Sequence, residues 1–302
     1  MLMKAVESYL ALRRASGFKL KNQEHQLRSF ARFASERGES HITTPSVMEW
    51  TTQSKMPRSL LATIVPFARY LQVEDERHEV PPPPSRVFGP RRSRRIPFIY
   101  SQNELNRLLQ AAMSLGPFGS LRPHTYATLF ALLAVSGLRI SEALNLRFDD
   151  VTADGLLIHK TKFRKSRLVP LHETADTGVQ RYLERRKRTA ATCDRVFVSL
   201  LGRPLSRNAI AETFGKLLET IGLDHGRGGR RPRIHDLRHS FAVRALETCP
   251  EGRDNVGRHM LALSTYMGHT EFRYTYWYLQ ATPHLMRDIA DACDAFLQGG
   301  TP

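Results

Sequence analysis

The sequence predicts a mainly α-helical protein with one small antiparallel β-sheet, built as two domains of unequal size. Three observations predict it. Apolar residues recur near a period of 3.6 on both sides of residue 80. Two short β-prone runs, 156–159 and 167–171, flank a polar basic tip, which is a hairpin signal. Between the helical regions, residues 80–97 read VPPPPSRVFGPRRSRRIP. Consecutive prolines cannot continue a helix and favour an extended, semi-rigid spacer.

Residues 1–79 read as a bundle of about four helices. Val6, Tyr9, Leu10 and Leu12 begin one apolar stripe. Leu27, Phe30, Ala31 and Phe33 form a second, and Leu60, Leu61, Ile64, Phe67 and Leu71 a third. Thr44-Pro45 resembles an N-cap followed by proline at the first helical position. The linker 80–97 carries Arg91, Arg92, Arg94 and Arg95, which suit an extended segment tracking a phosphate backbone.

Residues 98–302 form the second domain. Ser101 with Glu104 three residues on is a capping box for a helix through Ala112. His124 to Val135 is mostly apolar and reads as a buried helix, ended by Ser136-Gly137. Ser141 to Leu146 begins another. The hairpin follows, and the rest is largely helical. Thr282-Pro283 is an N-cap and N1 pair for a tail helix over 283–297, with Leu285, Ile289, Cys293 and Phe296 on one face.

Lys and Arg number 45 against 29 Asp and Glu, a net charge of +16. Residues 1–79 hold 12 basic and 9 acidic side chains, and the remainder 33 and 20. The excess therefore lies beyond the N-terminal part, and a phosphate-rich partner explains it. Cys193, Cys249 and Cys293 are odd in number and far apart, which argues against a disulfide framework or a structural zinc site. No apolar run approaches a membrane span and the N-terminus lacks a signal-peptide core, so no membrane partner and a cytoplasmic, nucleoid-associated location are expected.

Four segments carry candidate chemistry. In Ser136-Gly137-Leu138-Arg139-Ile140-Ser141-Glu142-Ala143-Leu144 an arginine sits in a turn between apolar helices, where its planar fork of donors suits phosphate oxygens. The hairpin tip is Lys160-Thr161-Lys162-Phe163-Arg164-Lys165-Ser166-Arg167. A lysine there can enter a DNA groove and present its ammonium to a leaving oxygen. In His235-Asp236-Leu237-Arg238-His239-Ser240 the i, i+3 spacing puts His235 and Arg238 on one helical face, with His239 nearby. The preceding stretch 227–233 adds Arg227, Arg230, Arg231 and Arg233. Last, Met267-Gly268-His269 precedes Tyr278 by nine residues from the histidine, with Tyr274 and Tyr276 close by. Each alone is also what a solvated basic surface or an aromatic core would contain.

The ordered set Arg139, Lys162, His235-x-x-Arg238, Gly268-His269 and Tyr278 resembles the tyrosine recombinase and integrase family, in its Xer-like and mobile-element-associated form. The likeness is strong from Ser101 to Tyr278 and weak before it. The family often has glycine where Thr161 and Phe163 stand, so Lys165 is the alternative to Lys162, and Tyr276 is the neighbouring alternative to Tyr278. The resemblance implies a SAM-like helical core-DNA-binding domain joined to a catalytic domain, the two closing as a C-shaped clamp on DNA. It implies cleavage and rejoining of DNA through a 3′-phosphotyrosyl intermediate, with Tyr278 as nucleophile. Arg139 and Arg238 would stabilise the charged transition state. His235 and His269 would assist the tyrosine, Lys162 would protonate the 5′ oxygen, and Glu142 would orient the site.

No cofactor is expected. The guanidiniums can take the place of metal ions, Asp149 and Asp150 are adjacent in sequence and need not converge, and no nucleotide-binding P-loop motif is present. Arg164, Lys165, Arg230 and Arg231 are further DNA-contact candidates beside the linker arginines. The implied partners are double-stranded DNA with an inverted-repeat core site and three further protomers, identical or from a related recombinase. Two other readings use the same fold: a catalytically inactive DNA-binding regulator, and a resolvase or topoisomerase of the same chemistry. The full set of residue types speaks against the first.

Overall fold

The computed structural model describes residues 2–90, 96–159, 166–189, 193–226, 229, 231–248, 253–268, 274–275 and 278, without the side chains of 253–256. The chain divides into two compact units, Met1–Arg94 and Arg95–Pro302.

The first unit is helical: α1 (Leu2–Ala15), α2 (Lys21–Glu36), α3 (Thr44–Thr52), α4 (Pro57–Glu74) and α5 (Pro84–Phe88). Val6, Leu10, Leu27, Phe30, Leu61, Ile64 and Phe67 are fully buried and form its core. Leu12, expected on the α1 stripe, is exposed; it lies well round the helix from Leu2, Val6, Tyr9 and Leu10. The cap of α3 is Thr43 rather than Thr44: its side chain accepts from the Ser46 backbone N–H at 3.4 Å, and proline stands inside the first turn.

The proline run is not extended throughout. Pro83 holds an extended backbone, but Pro84 opens α5, since a proline in the first turn lacks only an N–H that would have no helical partner. Arg58 of α4 fastens this turn, donating to the carbonyls of Phe88 (2.8 Å) and Gly89 (2.6 Å).

The second unit is mainly α with a small sheet, as expected. It contains α6 (Gln102–Met113), α7 (Arg122–Ser136), α8 (Ile140–Ala143), the three-stranded sheet, α9 (Glu173–Lys187), α10 (Arg207–Thr220), α11 (Ile234–Glu247) and α12 (Arg253–Met267). The capping box of α6 is complete: Ser101 Oγ accepts from Glu104 N–H at 3.2 Å, and Glu104 accepts from Ser101 N–H at 2.8 Å. The central helix is α7, whose Leu129, Phe130 and Leu133 are buried in one core with Leu108, Phe214 and Leu237. From α11, Ser240 Oγ accepts from Tyr100 N–H at 2.9 Å and Arg244 donates to the Tyr100 carbonyl at 2.8 Å, pinning the segment that enters α6.

The strands β1 (Val151–Thr152), β2 (Gly155–Ile158) and β3 (Arg167–Val169) pair antiparallel in chain order. Leu156 lies opposite Val169 and Ile158 opposite Arg167. β1, two residues long, was not expected. The helix expected from Ser141 to Leu146 closes after one turn. Its chain leaves to pair with 194–196 instead: Val196 N–H donates to Leu146 O (2.9 Å) and Phe148 N–H to Asp194 O (3.2 Å).

Gly137 ends α7 at φ 58, and a Cβ there would lie 2.4 Å from the Phe241 ring. A left-handed backbone costs an ordinary residue about 1–2 kcal/mol. Gly137→Ala is expected to lower stability by at least that amount in urea unfolding. An unchanged midpoint would contradict this reading of the turn.

Candidate active site

The site grows from the turn after α7. Arg139 caps α8 with an extended backbone, and Glu142 reaches back to it. Glu142 Oε2 accepts from the Arg139 backbone N–H at 2.9 Å, and Oε1 accepts from Arg139 Nη1 at 2.8 Å. The other terminal nitrogen of Arg139 donates to the Gly268 carbonyl at 2.9 Å, beyond the end of α12.

Arg238 comes from α11 and meets the same two turns. It donates to the Gly137 carbonyl and, at 2.7 Å, to the Met267 carbonyl. Its side chain is almost wholly buried. Burial and the Arg139 charge push its pKa down to about 10, opposed by Tyr278 and Glu142, so it stays charged at neutral pH. The two arginines singled out from the sequence, ninety-nine positions apart, therefore converge on residues 137–139 and 267–268.

His235, one turn before Arg238, lies at the solvent-facing edge with its ring 4.6 Å from that of His239. Surrounding protein, then the charge of Arg238, push its pKa down to about 4; Asp236 opposes, and Arg233 and Arg139 add to the effect. Because His235 is open to water, the burial effect is partly relieved, but the cations remain and favour a neutral imidazole at pH 7. Asp236 is buried and caps α11, accepting from Arg233 N–H at 2.8 Å and its guanidinium at 3.0 Å.

Tyr278 is buried against Val243, Leu246, Met260 and Met267. Its hydroxyl lies 3.1 Å from His239 Nδ1, with ring centroids 5.4 Å apart. His239 was noted in the sequence only as a neighbour. Its i+4 spacing from His235 put it on the same helical face, which was the available signal.

Arg167 was missed altogether as a site residue. It opens β3 and donates from Nε to the Tyr266 carbonyl (2.9 Å), from Nη1 to Glu142 Oε1 (3.1 Å) and from Nη2 to Glu142 Oε2 (2.9 Å). The signal was alternation: Val169 is buried, so Arg167, two residues earlier, faces the same way and needs an acid partner.

Among the other candidates, Arg231 pairs with Glu219 of α10 at 3.0 Å. Asp149 is exposed, whereas Asp150 is buried and pairs with His159 at 2.9 Å. Lys162, Arg164, Lys165, His269, Arg91, Arg92, Arg94, Arg95, Arg230, Tyr276 and the tail 283–297 lie outside the described residues.

Three guanidiniums around one carboxylate, beside a tyrosine hydroxyl on an imidazole, make a net-positive site suited to an anionic ester. Comparison with known proteins agrees in class. Residues 99–284 match the phage integrase family, and the chain belongs to this family of tyrosine recombinases. The chain is 39% identical over 297 residues to "Putative integrase/recombinase y4rB" of Sinorhizobium fredii, covering 94% of each. It is 29% identical over 212 residues to the tyrosine recombinase XerD of Halalkalibacterium halodurans, covering 68% of this chain and 65% of that one. In fold it resembles the Tn1549 transposon integrase in complex with transposon right end DNA, with a TM-score of 0.64 at 17% identity, covering 97% and 99% of the two chains. It also resembles a lambda integrase tetramer bound to a Holliday junction, with a TM-score of 0.60 at 17% identity over 89% and 77%.

Burial raises the Glu142 pKa, but hydrogen bonds from Arg167, the Arg139 backbone N–H and both guanidinium charges outweigh it and hold it at about 2. A depressed carboxylate contributes stability above its unfolded pKa, and that contribution is lost as pH falls toward the folded value. Glu142→Gln is therefore expected to cost on the order of 3 kcal/mol at pH 6 and clearly less at pH 3, read by denaturant unfolding at both. An equal cost at both pH values would contradict the charge argument.

Proposed function

We propose that this chain is a site-specific DNA recombinase or integrase that cleaves and rejoins strands through a 3′-phosphotyrosyl intermediate, without metal or ATP. The observation that carries the reading is the convergence of Arg139 and Arg238 on the 267–268 turn, with the Tyr278 hydroxyl on His239 of the same helix as Arg238.

In this reading the scissile phosphate docks against the arginine cluster. Tyr278 Oη attacks phosphorus as the bond to the 5′ oxygen breaks, leaving a 3′-phosphotyrosine and a 5′ hydroxyl. Deprotonating a tyrosine at pH 7 costs about 4 kcal/mol without assistance. A neutral imidazole can take that proton, and His239 Nδ1 is at hydrogen-bond distance; His269 and His235 are the candidates inferred from the family pattern. Arg139 and Arg238 meet the extra negative charge of the pentacoordinate transition state. Lys162, at the hairpin tip, gives a proton to the departing 5′ oxygen. The phosphotyrosyl bond retains the energy of the phosphodiester, so a 5′ hydroxyl can reverse the step on either the original or an exchanged strand.

The partner is double-stranded DNA with an inverted-repeat core site. Residues 1–79 would bind that core as a helical domain, 80–97 would link it to the catalytic residues 98–302, and the linker arginines with Arg164, Lys165, Arg230 and Arg231 would contact phosphates. The charge supports this, since most of the excess of basic residues lies after residue 79. Strand exchange needs four active sites on two duplexes. The tetrameric state of a structural neighbour supports the same assembly here.

The test is a nicked suicide duplex built on the sequence the protein selects from a random DNA pool. Wild type is expected to form a covalent adduct that survives denaturation, and Tyr278→Phe none. An adduct persisting in that variant would move the nucleophile to Tyr274 or Tyr276.

A further inference from the structure

None of the strand-transfer roles assigned above uses Arg167. We infer that Arg167 is a positioning residue for phosphoryl transfer: through Glu142 and the turn after α12 it fixes Arg139 toward the scissile phosphate. The inference rests on the recombinase reading.

The geometry is specific. Glu142 Oε1 accepts from both Arg139 (2.8 Å) and Arg167 (3.1 Å), so one carboxylate oxygen holds two guanidiniums in register. Glu142 Oε2 accepts from Arg167 (2.9 Å) and from the Arg139 backbone (2.9 Å). Arg167 thus fixes both the carboxylate that orients Arg139 and, through that carboxylate, the backbone from which Arg139 projects. Its Nε holds the Tyr266 carbonyl at 2.9 Å, two residues before the Gly268 carbonyl that Arg139 itself grips.

The same guanidinium lies against Gly268. That glycine has φ 64, and a Cβ on it would come within 3.0 Å of Arg167 Nη1. The turn that leads to His269 is therefore seated directly on Arg167. All three guanidinium nitrogens of Arg167 donate within the protein, and the side chain is only 13% exposed. That favours action through its neighbours over direct contact with DNA.

Lysine cannot substitute. An ammonium is a point donor, whereas this site uses a planar fork against one carboxylate and a third N–H against a carbonyl. Loss of the fork leaves Glu142 with Arg139 alone and frees the α12 turn. Displacement of a reacting or stabilising group by about 1 Å can cost about 100-fold in rate.

The experiment measures single-turnover cleavage of the suicide duplex at saturating protein, for wild type, Arg167→Gln, Arg167→Lys, Glu142→Gln and the Arg167→Gln/Glu142→Gln double variant. Each is run on a normal phosphodiester and on a methylphosphonate, in which a methyl replaces one charged oxygen at the scissile position. Arg167→Gln and Arg167→Lys are expected to cleave the phosphodiester about 100-fold slower while DNA affinity stays within about threefold of wild type. The loss should shrink on the methylphosphonate, where less charge needs Arg139, and the double variant should be no slower than the slower single variant. A rate within about threefold of wild type overturns the inference. So does an equal loss on both substrates with multiplicative effects in the double variant, the pattern of a merely structural residue. Should Arg167→Gln fail to fold, Arg167→Lys decides: full activity in it overturns the inference. No adduct from wild type at all would instead overturn the recombinase reading itself.

Discussion

The site depends on one buried carboxylate. Glu142 accepts from two guanidiniums and a backbone N–H, and without it Arg139, Arg167 and Arg238 would be three like charges crowding two turns. Burying a carboxylate is costly unless it is paired and hydrogen-bonded, and here the pairing is nearly complete. What remains after pairing is a surplus of positive charge. That surplus is the useful property, because a site already neutral would have nothing to offer a phosphate.

The fold exists, from this viewpoint, to bring distant turns together. Gly137 lets α7 stop sharply, and its carbonyl then serves as an acceptor for Arg238. The C-terminal end of α12 supplies three further carbonyls, from Tyr266, Met267 and Gly268, each to a different arginine. Carbonyls at a helix end lack partners in the helix and carry partial negative charge, so guanidiniums are their natural complement. α11 presents His235, Arg238 and His239 on neighbouring positions of one face while its other contacts pin the segment before α6. Tyr278 then meets His239 across a small apolar cluster that keeps the hydroxyl out of bulk water.

Features governed by neighbouring residues could be read directly from the sequence. The Ser101–Glu104 box, the Gly137 stop and the amphipathic stripes around Leu27 and Leu61 depend only on local spacing. Features governed by distant pairing could not. The helix after Ser141 is short because 146–148 pairs with 194–196, a partner invisible from local periodicity. Proline at 84 looked like a breaker, yet it opens a helical turn that Arg58 secures from another helix. The same division holds in the site. Arg139, Arg238 and Tyr278 stand out through motif spacing; the two arginines converge on 267–268, and the tyrosine lies against His239 of the same helix as Arg238. Arg167 is one of five basic residues at 160–167, where composition cannot tell an inward strand residue from a solvated tip. His239 falls just outside the H-x-x-R pattern, and its role depends on a contact with Tyr278, 39 residues away, that local spacing does not reveal.

Family membership supplies the class of reaction, and the charge cluster supplies a physical reason why this chain could perform it. The central claim is that the hydroxyl oxygen of Tyr278, which lies on His239 of the same helix as Arg238, is the nucleophile that takes the 3′ phosphate of the DNA strand. The most direct measurement is tandem mass spectrometry of the trapped protein–DNA adduct after nuclease and protease digestion. The account predicts a nucleotide phosphate attached to the peptide at Tyr278. Attachment at Tyr274, Tyr276 or any other residue would contradict it.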